Sequence, residues 1–189
     1  DSFVDTLLIT PTQMSKSYYI ELMASAEIDQ FVTDVPDFFQ DSTPNLIYID
    51  LNTKRLDYQS TLIEELEIRS TTKTTWIIPT SGTTSNAKLV KHDLGSLTES
   101  VKIQNREGVN FRWAALYEIY RFAGLQVFLQ SLASRSTLIL QPSNLPFPEK
   151  INKLIIERCN AISGTPSLFR KILMLPESNK LPLKQITLG

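Results

Sequence analysis

The chain has 189 residues, of which 42% are hydrophobic and 21% are charged, which is ordinary for a globular protein with a core of its own. Nineteen basic and twenty acidic residues leave a formal net charge of −1, so the charge balance indicates neither a nucleic acid nor an anionic membrane as partner. No apolar run reaches the roughly eighteen residues of a membrane span, and we expect no signal peptide. The single cysteine cannot form an internal disulfide, which favours a cytoplasmic protein.

Residues 1–71 alternate between strand and helix patterns. Apolar runs over residues 4–10 and 45–51 predict strands, and residues 13–28 predict a helix. One side of that helix is predicted to carry Tyr18, Leu22 and Met23. Strands separated by helices favour a parallel α/β layer. No motif in this stretch points to a function, so its role is left unplaced.

The most informative stretch follows a short apolar run, Trp76-Ile77-Ile78, that predicts a buried strand. After it comes a run of small polar residues that ends on a lysine: Thr80, Ser81, Gly82, Thr83, Thr84, Ser85, Asn86, Ala87 and Lys88. Small side chains let backbone N–H groups turn toward a polyphosphate, while the hydroxyls and the ammonium add further donors. The run therefore predicts a phosphate-binding loop. The alternative is a polar strand-to-helix turn whose hydroxyls only cap the next helix.

The second half of the chain continues the alternation of helices and strands. In chain order, the patterns predict a helix over 93–107 stopped by Gly108, an extended piece at 110–113, a buried helix at 122–133, a strand at 137–140, a helix at 149–158, a strand at 160–163, a helix at 167–175 and a strand at 183–188. Trp113, Phe122, Phe128 and Cys159 are predicted to be buried. The expected fold class is a three-layer α/β fold, a mostly parallel sheet flanked by helices.

The run from Thr80 to Lys88 resembles the phosphate-binding signature of the adenylate-forming, or AMP-binding, enzymes. This family includes acyl-CoA synthetases and aryl-AMP ligases, and its loop typically reads Thr-Ser-Gly-Thr-Thr-Gly-any-Pro-Lys. In this chain Ser85 stands at the position where glycine is the commonest residue of the family, and Ala87 stands where proline is commonest. The loop differs from the Walker pattern because Lys88 follows an alanine.

Further pieces in family order extend the resemblance over residues 73–189. Residues 118–125 are similar to the segment Pro-Leu-Phe-His-any-any-Gly, with Tyr120 on the aromatic position and Arg121 in place of the histidine. Residues 161–168 resemble the Gly-Val-Pro turn, and residues 186–189 resemble the strand before the Gly-Gly-Glu motif, with Gly189 as its first glycine. The resemblance implies residues 72–189 as an AMP-binding-type subdomain of the large N-terminal domain, truncated at its C-terminal end.

The resemblance implies an ATP-dependent ligase that activates a carboxylic acid as an acyl-adenylate. The acyl group would then pass to coenzyme A or to the phosphopantetheine of a carrier protein. Residues 80–88 would hold the ATP phosphates, Lys88 would neutralise the departing pyrophosphate and Thr83 would help to hold Mg2+. The implied acyl pocket consists of Tyr120, Arg121, Gly164 and Gly189.

Three interpretations stay open at this point. His92, the only histidine, is consistent with a structural role at a helix start or with a chemical role beside the loop. Arg121 is suited either to a substrate carboxylate or to an acidic neighbour. The whole chain could instead be a non-catalytic α/β interaction module that has kept a degenerate phosphate loop.

We predict that the 189-residue chain alone binds ATP weakly and forms no acyl-adenylate. The loop supplies donors for the distal phosphates only, so the expected dissociation constant is about 1 mM or weaker, equivalent to roughly 4 kcal/mol. Calorimetric titration with ATP and Mg2+ measures the affinity, and mass spectrometry after incubation with a panel of carboxylic acids measures the product. Micromolar binding, or catalytic accumulation of acyl-AMP, would contradict this prediction.

Overall fold

The computed structural model describes residues 4–11, 14–33, 45–48, 73–80, 88–101 and 110–189, with the backbone alone for residues 45–48. The chain divides into two compact units, Asp1–Leu94 and Gly95–Gly189. The described part of the first unit contains, in chain order, β1 (Thr6–Leu8), α1 (Lys16–Ala26), β2 (Gln30–Thr33), β3 (Asn45–Tyr48), β4 (Thr75–Thr80) and β5 (Lys88–His92). A short helix, α2 (Leu94–Thr98), follows β5 in the chain.

Strand β4 is the centre of a three-stranded sheet in the first unit. It pairs in parallel with β1, where Leu7 lies opposite Trp76, and antiparallel with β5, where Ile78 lies opposite Val90. Strands β2 and β3 form a separate parallel pair. The pairing of β1 with β4 joins the two sides of the predicted boundary between residues 71 and 72 in one sheet, and that boundary stays a prediction.

Helix α1 buries one of its faces in the first unit. The Ser15 hydroxyl accepts a hydrogen bond from the backbone N–H of Tyr18 at 3.2 Å and begins the helix. The buried side chains are those of Tyr19, Leu22, Met23 and Ala26. Positions three and four residues apart share a helix face, so Tyr19 lies on the buried face and Tyr18, one residue earlier, is only half-buried. Of the three residues predicted to share one side, Leu22 and Met23 are thus buried and Tyr18 is half-buried.

Helix α2 is much shorter than the predicted helix over residues 93–107. It ends at Thr98, where the N–H of Val101 donates to the Thr98 carbonyl at 2.9 Å in a tighter turn. The Thr98 hydroxyl also donates to the carbonyl of Gly95 at 3.4 Å. Glycine and residues whose side chains bond to the local backbone are poor helix formers, which explains the early end. Residues 102–107 and Gly108 lie outside the described residues.

The second unit alternates strands and helices as predicted, with small shifts in their bounds. After α2, its described elements are β6 (Arg112–Ala114), α3 (Phe122–Ala133), β7 (Thr137–Ile139), α4 (Phe147–Ile156), β8 (Ala161–Gly164), α5 (Pro166–Leu173), a 3-10 helix (Pro176–Lys180) and β9 (Gln185–Leu188). Pro148, predicted to lie in a loop, occupies the first turn of α4, where its missing N–H costs no hydrogen bond. The 3-10 helix was not predicted.

The second unit is organised by one parallel sheet with the strand order β7-β6-β8-β9. The chain leaves β6 through α3 toward one edge, and it then returns through α4 and α5 toward the other edge. Because parallel crossovers are right-handed, connections that run in opposite directions place their helices on opposite faces. The order therefore requires α3 on one face of the sheet and α4 with α5 on the other.

Side-chain packing confirms this three-layer arrangement, because alternate residues of each strand face opposite sides. On one face, Trp113 of β6 and Ala161 of β8 pack with Val127 of α3. The other face forms the larger core, which contains Ala114, Ile139, Ile151, Leu154, Cys159, Ile162, Ile172 and Leu181. The predicted α/β class and the burial of Trp113 are confirmed, whereas Phe122 is 40% exposed at the start of α3.

Cys159 is a buried core residue, as predicted. Burial raises the pKa of its thiol, although a hydrogen bond to the carbonyl of Ala161 at 3.5 Å and the charge of Arg112 act in the opposite direction. A thiol that is desolvated in this way is a poor nucleophile. Cys159 therefore acts as a small apolar side chain in the fold.

The side-chain amide of Asn160 fastens β6 to β8. The two strands share one register pair, Trp113 with Ala161. Just before that pair, Asn160 Oδ1 accepts from the backbone N–H of Arg112 at 2.7 Å, and Asn160 Nδ2 donates to the carbonyl of Asn110 at 3.0 Å. The carbonyl of Asn160 also accepts from the N–H of Gln185 at 3.0 Å at the start of β9. One buried residue thus connects three of the four strands.

Strand β9 forms one border of the four-stranded sheet and pairs with β8 alone among the described strands. Its Ile186 and Leu188 side chains are 51% and 64% exposed.

In the described part of the chain, none of the helices combines the length and the apolar character needed to cross a bilayer.

We predict that Asn160→Ala lowers the free energy of unfolding by about 2–3 kcal/mol, because it leaves the Arg112 N–H and the Asn110 carbonyl without their side-chain partner. Urea unfolding followed by circular dichroism measures the change. Asn152→Ala is the matched control, because Asn152 is exposed on α4 and its replacement should change stability by less than about 0.5 kcal/mol. Equal losses in both variants would contradict the role assigned to Asn160.

Candidate functional site

The two ends of the predicted phosphate loop face each other across the β4–β5 hairpin. Ile77 and Ile78 of β4 are each 1% exposed and anchor this strand in the first unit, whereas Thr80 at its end is exposed. Thr80 pairs with Lys88, and its hydroxyl donates to the Lys88 carbonyl at 3.1 Å. The remaining predicted loop residues, Ser81, Gly82, Thr83, Thr84, Ser85, Asn86 and Ala87, lie outside the described residues.

The loop joins two strands, so the alternative of a strand-to-helix turn was wrong. Residues Lys88–His92 form β5, which the sequence patterns did not predict. The adjacent apolar pair Leu89 and Val90 next to a glycine-containing turn was a signal for a hairpin, but it was too short to stand out. His92 ends β5 opposite Trp76, a strand position ahead of α2.

Lys88 is exposed at the end of β5 that adjoins the predicted phosphate loop. Among the described residues, no carboxylate lies within ion-pair distance of its ammonium. An exposed ammonium next to a short polar loop can approach an anion without first breaking an internal ion pair. The part of the loop that the structure describes is therefore compatible with a phosphate ligand.

The predicted acyl-pocket residues belong to the second unit, at the carboxyl end of its parallel sheet. The strand order reverses between β6 and β8, because the chain leaves them in opposite directions. Crevices outside the carboxyl ends of strands at such a reversal are the usual ligand sites of open α/β sheets. The segment that follows β6 and the turn that follows β8 flank this position.

Gly164 and Gly189 are brought together by the pairing of β8 with β9. The N–H of Gly189 donates to the Gly164 carbonyl at 3.3 Å. A Cβ atom at Gly164 would meet the side chain of Leu168, whereas nothing lies within 4 Å of such an atom at Gly189.

Tyr120 and Arg121 precede α3 and interact with their own neighbours. The Arg121 guanidinium forms an ion pair with Glu118 at 3.3 Å and lies 5.8 Å from the centre of the Tyr120 ring. The side chains of the ion pair are 58% and 46% exposed, so the pair contributes little stability. Of the two partners considered for Arg121, the structure shows the acidic neighbour.

Tyr117, which the sequence patterns did not indicate, and Gly124 hold this segment in place. Tyr117 links it to the turn after β8, because its hydroxyl oxygen accepts from the N–H of Thr165 at 3.2 Å. Gly124 in α3 lets the segment lie directly on the helix. A Cβ atom at this position would come within 2.6 Å of the Glu118 carbonyl carbon and within 2.8 Å of the backbone carbonyl oxygen of Tyr117. The sequence carried two signals for this close approach, because Gly124 lies inside a predicted helix and also occupies the glycine position of the family segment that residues 118–125 resemble.

A magnesium site is not formed by the residues that the structure describes. Among them, no group of three or more histidine, cysteine, aspartate or glutamate side chains could hold a metal ion. Thr83, the predicted metal ligand, is outside the described residues. The assignment of Thr83 stays a prediction.

Comparison with known protein families decides the family. The AMP-binding enzyme family matches residues 10–188. The chain belongs to the AMP-binding enzyme family. The match begins at residue 10, so it also covers most of the N-terminal stretch that carried no recognisable motif. A search of curated protein sequences finds no match.

Solved structures of AMP-binding enzymes share the fold of the chain. The o-succinylbenzoate CoA synthetase MenE from Bacillus subtilis, in complex with its acyl-adenylate intermediate, is 17% identical with a TM-score of 0.63, over 96% of this chain and 48% of that one. The same enzyme with ATP and magnesium ion is 15% identical with a TM-score of 0.59, over 96% and 48%. The N-terminal domain of FACL13 from Mycobacterium tuberculosis is 16% identical with a TM-score of 0.60, over 96% and 49%. The chain spans about half the length of each structure.

We predict that Gly124→Ala destabilises this AMP-binding enzyme by about 1–3 kcal/mol, because the new methyl group meets backbone atoms that cannot rotate away. The urea midpoint of unfolding measures the loss. Ala123→Ser is the control, since Ala123 is exposed on the same helix and its replacement should change stability by less than about 0.5 kcal/mol. A midpoint for Gly124→Ala equal to that of the control would show that the segment before α3 moves aside without cost.

Proposed function

We propose that the whole protein is an ATP-dependent ligase that activates a carboxylic acid as its acyl-adenylate. The observation that carries this proposal is the family match over residues 10–188. The exposed Lys88 at the mouth of the hairpin supports it, because an anionic carboxylate must react with an anionic triphosphate and needs a cation placed beforehand. The proposal concerns the whole protein, since the chain spans about half the length of the structures that it resembles.

In the proposed first step, a carboxylate oxygen of the acid attacks the α-phosphorus of ATP. The new oxygen–phosphorus bond forms as the bond from the α-phosphorus to its bridging oxygen breaks, and pyrophosphate leaves with the electron pair. Residues 80–88 would bind the β- and γ-phosphates, and the Lys88 ammonium would stabilise the charge that collects on pyrophosphate. Thr80 would hold the loop closed at its base through its bond to the Lys88 carbonyl.

In the proposed second step, a thiol attacks the acyl carbon and AMP leaves. The acceptor would be coenzyme A or the phosphopantetheine of a carrier protein. Tyr120, Arg121, Gly164 and Gly189 would line the acyl pocket at the carboxyl end of the parallel sheet. The link between Tyr117 and Thr165 supports this assignment, because it fastens the segment before Tyr120 to the turn after Gly164.

We further propose that Thr83 contributes to binding Mg2+, which would neutralise phosphate charge when bound to ATP. The B. subtilis relative solved with ATP and magnesium ion supports both as substrates or cofactors of this family. A cytoplasmic location is also proposed, and the unpaired, buried Cys159 is consistent with it.

We predict that Lys88→Ala in the whole protein lowers the rate of ATP–pyrophosphate exchange by about tenfold to a thousandfold, because the variant loses a cation at the departing pyrophosphate. Thermal stability should change by less than about 0.5 kcal/mol, since Lys88 is exposed.

Lys91→Ala is the matched control for this experiment. Lys91 is another exposed lysine of β5, so its removal changes net charge equally and should leave exchange unchanged. Absence of exchange in the unmodified whole protein, with every acid offered, would favour the non-catalytic interaction module. Equal loss of exchange in both variants would contradict the specific role of Lys88.

A further inference from the structure

A polar pocket of about 710 Å³ lies at the amino end of the parallel sheet, the edge opposite the candidate acyl pocket. It is bounded by the starts of β6 and β7 and by the residues that follow α3 and α4. In a parallel α/β layer these ends lie together, because each helix runs back antiparallel to the strands. Three arginines line the pocket, Arg112, Arg135 and Arg158, and Glu157 is the one acidic lining residue.

The floor of the pocket is held by backbone and buried amide hydrogen bonds. Asn160 binds both the carbonyl of Asn110 and the N–H of Arg112. The N–H of Thr137 donates to the Phe111 carbonyl at 3.1 Å and ties β7 to the same edge. A ligand would therefore meet a surface that is already ordered, which lowers the entropic cost of binding.

The charges of the pocket are only partly neutralised. The Arg112 guanidinium forms an ion pair with Glu157 at 3.3 Å and donates to the Glu157 carbonyl at 2.7 Å. Arg135 and Arg158 form no ion pair with any residue in the described part of the chain. Three positive charges against one negative charge stand out in a protein whose formal net charge is −1.

Arg135 and Arg158 also share an unusual backbone conformation, with φ of 49° and 52° after the ends of α3 and α4. Glycine occupies this left-handed position most readily, because other residues meet a steric cost there. Glu27 adopts the same conformation after α1, so the conformation alone does not indicate a ligand. What distinguishes the two arginines is that both line one pocket beside a third arginine.

We propose that this arginine pocket binds a small soluble molecule that carries phosphate groups. Guanidinium groups suit phosphate because they offer paired N–H donors together with a fixed charge. The hydroxyl of Thr137 and the amide of Asn110 add neutral donors at the same surface. The volume falls within the roughly 300–1,000 Å³ range of small-molecule sites. None of the residues that line the pocket belongs to the phosphate loop, so this proposal does not depend on the proposed ligase activity.

Calorimetric titration with pyrophosphate at constant ionic strength tests the proposal. All titrations use the purified protein with the Lys88→Ala substitution, so that the phosphate loop does not contribute its lysine to binding. Arg135→Gly and Arg158→Gly should each weaken pyrophosphate binding by about threefold to tenfold, as expected for loss of one exposed charged contact. Both variants should fold, because glycine accepts the left-handed conformation without steric cost.

Glu27→Gly is the matched control, since it makes the same backbone change at a site outside the pocket and should leave binding unchanged. Pyrophosphate that binds all variants equally, or that fails to bind the parent protein, would overturn the proposal. Binding to phosphatidic acid vesicles without binding to pyrophosphate would also overturn it, because the ligand would then be a membrane headgroup. In the parent protein, pyrophosphate should shift the backbone amide resonances of Ser136 and Thr137, and unchanged resonances there would count equally against the pocket.

Discussion

The buried amide of Asn160 is the contact on which the second unit depends. The side-chain amide bonds to backbone groups of Arg112 and Asn110 at the start of β6, where β6 and β8 share a single register pair. The backbone carbonyl of Asn160 accepts a hydrogen bond from the first residue of β9. The junction of β6 with β8 is also the point where the strand order reverses. The two ends of the sheet at this junction differ in their residues. Gly164, Gly189 and the Tyr117 side chain lie at the carboxyl end, and three arginines lie at the amino end. The Asn160 amide holds the amino end of this junction, where the arginine pocket lies.

Sequence patterns predicted the fold best where apolar runs are long. The limits of α3 were predicted correctly at 122–133, because its apolar run is bounded by polar residues. The same helix carries Gly124, against which the preceding segment packs. The predicted helix over 93–107 was too long because Gly108 was taken as its stop, whereas the local preferences of Gly95 and Thr98 ended α2 early. Strand β5 was missed because its pairing with β4 depends on a partner across the loop. Such pairing is a tertiary property that a five-residue pattern does not contain.

The candidate site divides in the same way. The phosphate loop is contiguous in sequence, so its residues could be recognised as a motif, and their role in binding phosphate stays a prediction. Tyr117 could not be recognised, since its partner Thr165 is distant in sequence and meets it only after two crossovers. The arginine pocket is a stronger case, because Arg112 begins β6 whereas Arg135 and Arg158 follow two different helices, and the three converge only through the topology of the sheet.

Strand β9 has a practical consequence for handling the protein. Its outer side presents backbone N–H and C=O groups that no other described strand engages, next to the exposed side chains of Ile186 and Leu188. Wherever the remainder of the protein does not cover this side, the strand is a template for extended segments of neighbouring molecules, and such pairing leads to aggregation as concentration rises. A lysine in place of Ile186 would add a charge that must be desolvated on stacking, and it would keep concentrated samples dispersed without disturbing the core.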